Sequence, residues 1–184
     1  MVLKQIRVHG RGGQGAVTCA ELLATAAFKD GKQCQAFPFF GVERRGAPVT
    51  AFCRIDDKEI RTHEQVYEPD YVMVLDSSLL ENVNVAEGLG SKGIIVINTL
   101  EDAKNLKIKT SAAVKTIDVT KIALELIGKP FVNAPMLGAF VAATGLVSID
   151  SLLKSVEENF EGAIAQKNIA AVKKAYELMK NSKG

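Results

Sequence analysis

The sequence has little cysteine, and its three thiols are too far apart to form a metal site by themselves. Cys19, Cys34 and Cys53 include no C-x-x-C pair. Iron–sulfur clusters and structural zinc need clustered thiolates, so the chain is not expected to hold either. An odd number of scattered cysteines is typical of a reducing compartment, which predicts a cytoplasmic protein.

The sequence also lacks long apolar runs and a strong excess of charge of one sign. No stretch approaches the roughly 18 apolar residues of a membrane span, and no apolar signal-peptide core follows Met1. Lys and Arg number 23 against 21 Asp and Glu, a formal net charge of +2. Nucleic-acid-binding domains carry a larger basic excess. We therefore expect neither a membrane nor a nucleic acid as a partner.

What the sequence does contain is an alternation of strand and helix patterns. Its 184 residues, 47% of them apolar, fit one domain, so we expect residues 1–184 to fold together. Short apolar runs at 71–75 and 93–98 are typical of parallel strands that are buried on both faces. The alternating order of strands and helices predicts a single doubly wound α/β domain, with a mostly parallel sheet flanked by helices on both faces.

The predicted elements have the following bounds. Strands are expected at 4–9, 33–37, 49–55, 71–75, 93–98 and 114–119, with 59–61 returning beside the third as a hairpin. Helices are expected at 16–28, 120–127, 135–145, 150–158 and 161–180.

A glycine-rich segment, Gly10–Gly15, follows the first strand and precedes the first helix; we call it the glycine loop. It satisfies the pattern G-x-G-x-x-G, in which glycine allows a tight turn and close approach of a ligand. The free N–H groups of a helix N-terminus attract anions. We expect an anion on the amides of Gly12, Gly13, Gln14 and Gly15, with charge from Arg11. The alternative is a tight turn that serves only helix–sheet packing.

The common nucleotide sites fit this loop poorly. A dinucleotide site needs an acidic residue at the end of the second strand, about 20 residues on, to hold the ribose. The segment 33–42 has no acidic residue before Glu43, and no Lys-Ser or Lys-Thr follows the glycine loop as in a Walker A motif. A stand-alone NAD- or ATP-dependent enzyme is therefore the weakest alternative.

A second segment, Phe37–Pro48, contains Arg44, Arg45 and Gly46; we call it the arginine loop. In a doubly wound sheet it would lie at the carboxyl ends of the strands, where ligands bind. The planar guanidinium suits phosphate and carboxylate groups. The arginines could equally belong to a surface loop and pair with Glu43 or with a neighbouring subunit, and both interpretations remain open.

The two loops, read together, resemble a known family. The segments HGRGGQG (9–15) and GVERRGAPV (41–49) are similar to the gamma subunit of pyruvate and related 2-oxoacid:ferredoxin oxidoreductases. VMVLDSSLL (72–80) and NAPMLGAF (133–140) agree with it in the same order. The resemblance extends over nearly the whole chain.

This resemblance implies a subunit of an enzyme that oxidatively decarboxylates a 2-oxoacid, forms the acyl-CoA thioester and reduces ferredoxin. Thiamine diphosphate and iron–sulfur clusters are implied for the alpha, beta and delta partner subunits. The gamma chain would be a scaffold without catalytic residues, which admits or binds coenzyme A. Pyruvate is the first expectation for the substrate, with branched-chain and aryl 2-oxoacids open. The alternative is a pure interaction subunit whose loops contact partner chains and no ligand.

Two further polar residues follow strands. His9 could contact the ligand or be a satisfied structural histidine. Asp76 could face the crevice or cap the helix that begins at Ser77, and we expect the cap.

Overall fold

The computed structural model describes residues 2–39, 46–62 and 64–182. The strands are β1 (Lys4–Arg11), β2 (Gln33–Phe39), β3 (Pro48–Asp56), β4 (Tyr71–Val74), β5 (Ile94–Asn98) and β6 (Ala113–Ile117). The helices are α1 (Ala16–Lys29), α2 (Val119–Leu126), α3 (Asn133–Thr144), α4 (Ile149–Asn159) and α5 (Gly162–Asn181). Short 3₁₀ helices span Ser77–Glu81 and Ala103–Asn105.

The six strands form one sheet in the order β2-β3-β1-β4-β5-β6. The pairs β1–β4, β4–β5 and β5–β6 are parallel, whereas β3 pairs antiparallel with both β1 and β2. The predicted single α/β domain with a mostly parallel sheet is confirmed. The expected hairpin strand at 59–61 is wrong, because β3 already has a neighbour on each side and offers no free edge there.

Successive side chains of a strand point to opposite faces of the sheet, so the protein has two hydrophobic cores, one on each face. Ile6 and Val8 of β1 face a core that takes residues from all five described α-helices. The opposite face is covered by the 3₁₀ helix 77–81 and irregular segments, which contribute Val85 and Leu89. The helices thus lie on one face of the sheet rather than both, because the connections from β4 to β6 form no α-helix.

Close packing of α3 against α5 brings two helix backbones together. A Cβ on Gly138 would lie 2.2 Å from the carbonyl oxygen of Val172, so only glycine fits there. Ala134 to Val141 are all buried, which agrees with small apolar residues used for packing. None of the helices among the described residues is long and apolar enough to cross a membrane.

Candidate anion-binding site

The glycine loop turns between β1 and α1 with two residues in the left-handed region. Gly13 has φ +95° and Gly15 has φ +80°. A Cβ on Gly15 would come within 2.8 Å of Asn133 Nδ2, whereas one on Gly13 would meet nothing within 4 Å. Both positions therefore need glycine for the backbone, and the space in front of Gly13 is open.

The loop amides divide into two groups. Gly12 N–H donates to Ala47 O at 2.9 Å, and Gln14 N–H donates to Arg11 O at 2.9 Å. Within the described residues, the N–H groups of Gly13 and Gly15 have no acceptor, and α1 has no side-chain cap. The first amides of α1 stand at the positive end of the helix dipole. Among the described residues, the donors without an acceptor are thus Gly13, Gly15 and the start of α1.

Arg11 is held by its own chain rather than extended into solvent. Its Nη2 and Nε donate to Ser78 Oγ at 2.7 and 3.1 Å, and its Nη1 donates to Gly46 O at 3.1 Å. Its Nε also lies 3.4 Å from Asp76 Oδ2. Arg11 therefore fastens the glycine loop to the 3₁₀ helix and to the end of the arginine loop, and Asp76 offsets its charge.

Gln14 and Asp76 complete this network. Gln14 Oε1 accepts from the Arg11 amide, and its Nε2 donates to Asp76 Oδ2, each at 2.8 Å. Asp76 also accepts from the amide and hydroxyl of Ser78, which confirms the expected cap. Partial burial alone would raise the pKa of Asp76, but the hydrogen bonds from Ser78 and Gln14 and the charge of Arg11 lower it below its ordinary value. Asp76 is therefore an anchored carboxylate.

His9 is a structural histidine in this chain. It is 6% exposed, and its Nε2 accepts a hydrogen bond of 3.0 Å from Arg7 Nε. Burial, together with the charge of Arg7, lowers the pKa of His9 to about 3. The imidazole is therefore neutral, with Nε2 as acceptor and the proton on Nδ1.

Two buried arginines were missed by sequence reasoning. Arg7 donates to the backbone oxygens of Val66, Val85 and Glu87, and Arg54 donates to those of Thr62, Glu64 and Gln65. Both lie on the sheet face that carries no α-helix, and they fasten irregular segments to it. No clear sequence signal was available for Arg7, because it alternates with the apolar Ile6 and Val8 and so has the pattern of a solvent-facing residue.

The arginine loop is described only in part. Gly46 has φ +83°, and its N–H donates to Gly12 O at 3.2 Å. The structure thus brings Arg11, Gly46 and the segment 12–15 together. Arg44 and Arg45 lie outside the described residues.

A groove lies beside the glycine loop, at the carboxyl ends of β4, β5 and β6. We call it the strand-end groove; its volume is about 850 Å³, and it runs from Gln14 and Asp76 to α2. Its floor includes Asn98, whose amide donates to Leu75 O and Thr120 Oγ1. Asn98 Oδ1 accepts from the amides of Val119 and Thr120. The side chain of Asn98 therefore uses its donors and acceptor within the chain.

Metal-binding groups are scarce in the described residues. Ranges 2–39, 46–62 and 64–182 contain no group of three or more His, Cys, Asp or Glu side chains that could hold an ion. Burial raises the pKa of the Cys19 and Cys53 thiols well above the ordinary value, so both are inert, protonated core residues.

Comparison with known proteins gives matches over nearly the whole chain. The family model described as pyruvate ferredoxin/flavodoxin oxidoreductase matches residues 5–178. Pyruvate synthase subunit PorC of Methanocaldococcus jannaschii is 58% identical over 175 residues, covering 95% of this chain and 96% of that protein. The pyruvate/ketoisovalerate oxidoreductases common subunit gamma of Thermococcus kodakarensis is 54% identical over 175 residues, covering 94% of this chain and 95% of that protein. The crystal structure of pyruvate oxidoreductase subunit PORC from Thermotoga maritima superposes with a TM-score of 0.85 at 38% identity, covering 95% of this chain and 96% of that one.

Proposed function

From the premise that this chain belongs to the pyruvate ferredoxin/flavodoxin oxidoreductase family, we propose that it is the gamma subunit of a multi-subunit 2-oxoacid:ferredoxin oxidoreductase. The reaction converts pyruvate and coenzyme A to acetyl-CoA and CO₂ and passes two electrons to ferredoxin. The observation that carries this proposal is identity above 50% with pyruvate synthase and gamma subunits over nearly their whole length. A relative whose name includes both pyruvate and ketoisovalerate keeps branched-chain acids open as substrates.

The chemistry of this enzyme belongs to partner chains. Alpha and beta subunits would hold thiamine diphosphate, and beta and delta subunits the iron–sulfur clusters that lead to ferredoxin. The scarcity of metal-ligating groups in the described residues fits this division of labour. We assign no catalytic residue to this chain.

We further propose that the glycine loop binds the phosphates of coenzyme A in the assembled enzyme. The donors are the N–H groups of Gly13 and Gly15, which have no acceptor among the described residues, and the first amides of α1; a side-chain-sized space at Gly13 allows approach. Arg11 acts indirectly, because its guanidinium is bound to Ser78 and Asp76 and keeps the loop in shape. Arg44 and Arg45 would supply the positive charge.

The test is steady-state kinetics of the complete complex carrying Arg44→Ala and Arg45→Ala. Loss of charge-assisted hydrogen bonds of about 1.5–3 kcal/mol each predicts a rise in KM for coenzyme A of about tenfold or more. Decarboxylation of pyruvate measured without coenzyme A should stay unchanged. Lys173→Ala with Lys174→Ala, on the exposed face of α5, removes the same charge as a control.

Unchanged coenzyme A kinetics in the arginine variant would remove the binding role. The specific observation that favours a pure interaction subunit is the internal use of Gly12 N–H and Arg11. Hydrogen exchange of the whole complex separates the two functions. Protection of residues 12–17 by coenzyme A supports binding, and equal exchange with and without coenzyme A supports scaffolding alone.

A further inference from the structure

The strand-end groove is distinct from the glycine-loop donors, and we infer that it is a docking surface for a partner subunit. The occupant we propose is a segment of another chain of the complex that carries a lysine or arginine beside an apolar side chain. This inference rests on the proposed function, because it requires that the chain assemble with partner subunits. It goes beyond that function by naming the surface and the chemistry of what covers it.

Exposed leucines form the apolar part of this surface. Leu100 is 85% exposed and Leu124 is 51% exposed, and both line the groove. Leu100 follows β5, and Leu124 lies on α2, so the two come from different elements and converge on one opening. Large apolar side chains that converge in this way mark surfaces that a partner covers.

Charge decides which partner fits. The groove is lined by the carboxylates of Glu101, Asp118 and Glu125 and by one lysine, Lys121, in a chain whose net charge is +2. Asp76 also lines it, but Arg11 offsets that charge. Over the described part of the chain, neither Glu101 nor Glu125 forms an ion pair. A surface of this sign repels the phosphates of coenzyme A and attracts basic side chains.

The internal hydrogen bonds of Asn98 and Asp118 favour a macromolecule over a small ligand as the occupant of the groove. Asn98 already makes four hydrogen bonds within the chain, and Asp118 accepts from the Lys121 amide as the cap of α2. A small-molecule site needs converging free polar groups on its floor. The exposed carboxylates of Glu101, after β5, and Glu125, on α2, line the groove where an extended side chain of a partner can reach them.

A crosslinking experiment tests the occupant directly. The photoreactive residue benzoylphenylalanine replaces Leu100 in the complete complex, and Tyr67, which is 66% exposed outside the groove, is replaced as a control. The expected product joins position 100 to a partner-subunit peptide that contains lysine or arginine. No crosslink from position 100, or a crosslink to a second copy of this chain, overturns the inference.

Charge reversal supplies a second, independent readout. The variant Glu101→Lys with Glu125→Lys should dissociate from complexes captured through another subunit, with the retained fraction lowered about tenfold at moderate salt. Glu157→Lys with Glu177→Lys, on the exposed faces of α4 and α5, makes the same charge change and should be retained like the wild type. If both variants are retained equally, the docking surface is elsewhere. If the wild-type chain itself does not assemble, the proposed function fails first.

Discussion

Mild acid should destabilise this chain through His9, at a pH where carboxylates remain ionised. The folded chain holds His9 neutral beside Arg7, with its pKa lowered from 6.5 to about 3 by burial and by that charge. In the unfolded chain the imidazole regains an ordinary pKa. The unfolded state therefore binds a proton first as pH falls below about 6.5, so stability is lost from there down to about pH 3.

The size of this effect follows from the two pKa values. Each pH unit between them costs about 1.4 kcal/mol, and pH 5 lies about 1.5 units below the unfolded value. The free energy of unfolding should thus fall by about 2 kcal/mol between pH 7 and pH 5. The lowered pKa values of Asp30 and Asp76 act only in stronger acid, because their unfolded values lie near 4.

Urea unfolding of the full chain at pH 7 and pH 5 measures this loss. His9→Gln keeps an acceptor for Arg7 without a titrating group, so its stability should be nearly constant over the same range. The sequence has two histidines, and His63→Gln measures separately what the other imidazole contributes to the pH dependence. Equal pH dependence of wild type and His9→Gln, or a His9 pKa above 5 measured by NMR, would refute the reasoning.

Further substitutions test three other features: the buried Arg7, the turn of the glycine loop and the contact of Asp30 with α4. Arg7→Met should lower the free energy of unfolding by about 3 kcal/mol or more, because three backbone carbonyls lose a buried donor. Urea unfolding measures this loss, and an unchanged midpoint would contradict the role of Arg7 in holding these segments. Gly13→Ala should lower the stability of the chain by roughly 1 kcal/mol, and Gly15→Ala should lower it more, because only the methyl group at position 15 meets a neighbouring side chain. Equal melting temperatures of the two variants would be evidence against the loop geometry. Asp30→Ala should cost about 1 kcal/mol at pH 7, since Asp30 accepts from the Ser148 amide at the start of α4. Because hydrogen bonds lower the pKa of Asp30 despite its partial burial, that cost should disappear in strong acid, and a constant cost would argue against the bond.

Local patterns were enough to place most elements of the fold. The apolar runs at 71–75 and 93–98 and the amphipathic segment 161–180 agree with β4, β5 and α5 within two residues. What a pattern could not give was the pairing of β3 with β1 and β2, which removes the expected strand at 59–61. Pairing depends on which edges are free, and that is a property of the whole sheet.

The proximity of the candidate residues could be predicted from the sequence, whereas their contacts could not. The sequence placed the glycine loop, Arg11 and Gly46 together, and the structure does so as well. Arg11 was expected to face a ligand, yet Asp76 and Ser78, which are 65 and more residues away in sequence, bind it. Sequence spacing does not reveal which carboxylate a long flexible side chain will reach.

Reconstitution of activity tests the central claim most directly. The other subunits of the complex are purified with and without this chain, and reduction of ferredoxin is followed after pyruvate and coenzyme A are added. We predict that coenzyme A-dependent reduction requires this chain and returns in proportion to its addition. Full activity in its absence would contradict the assignment.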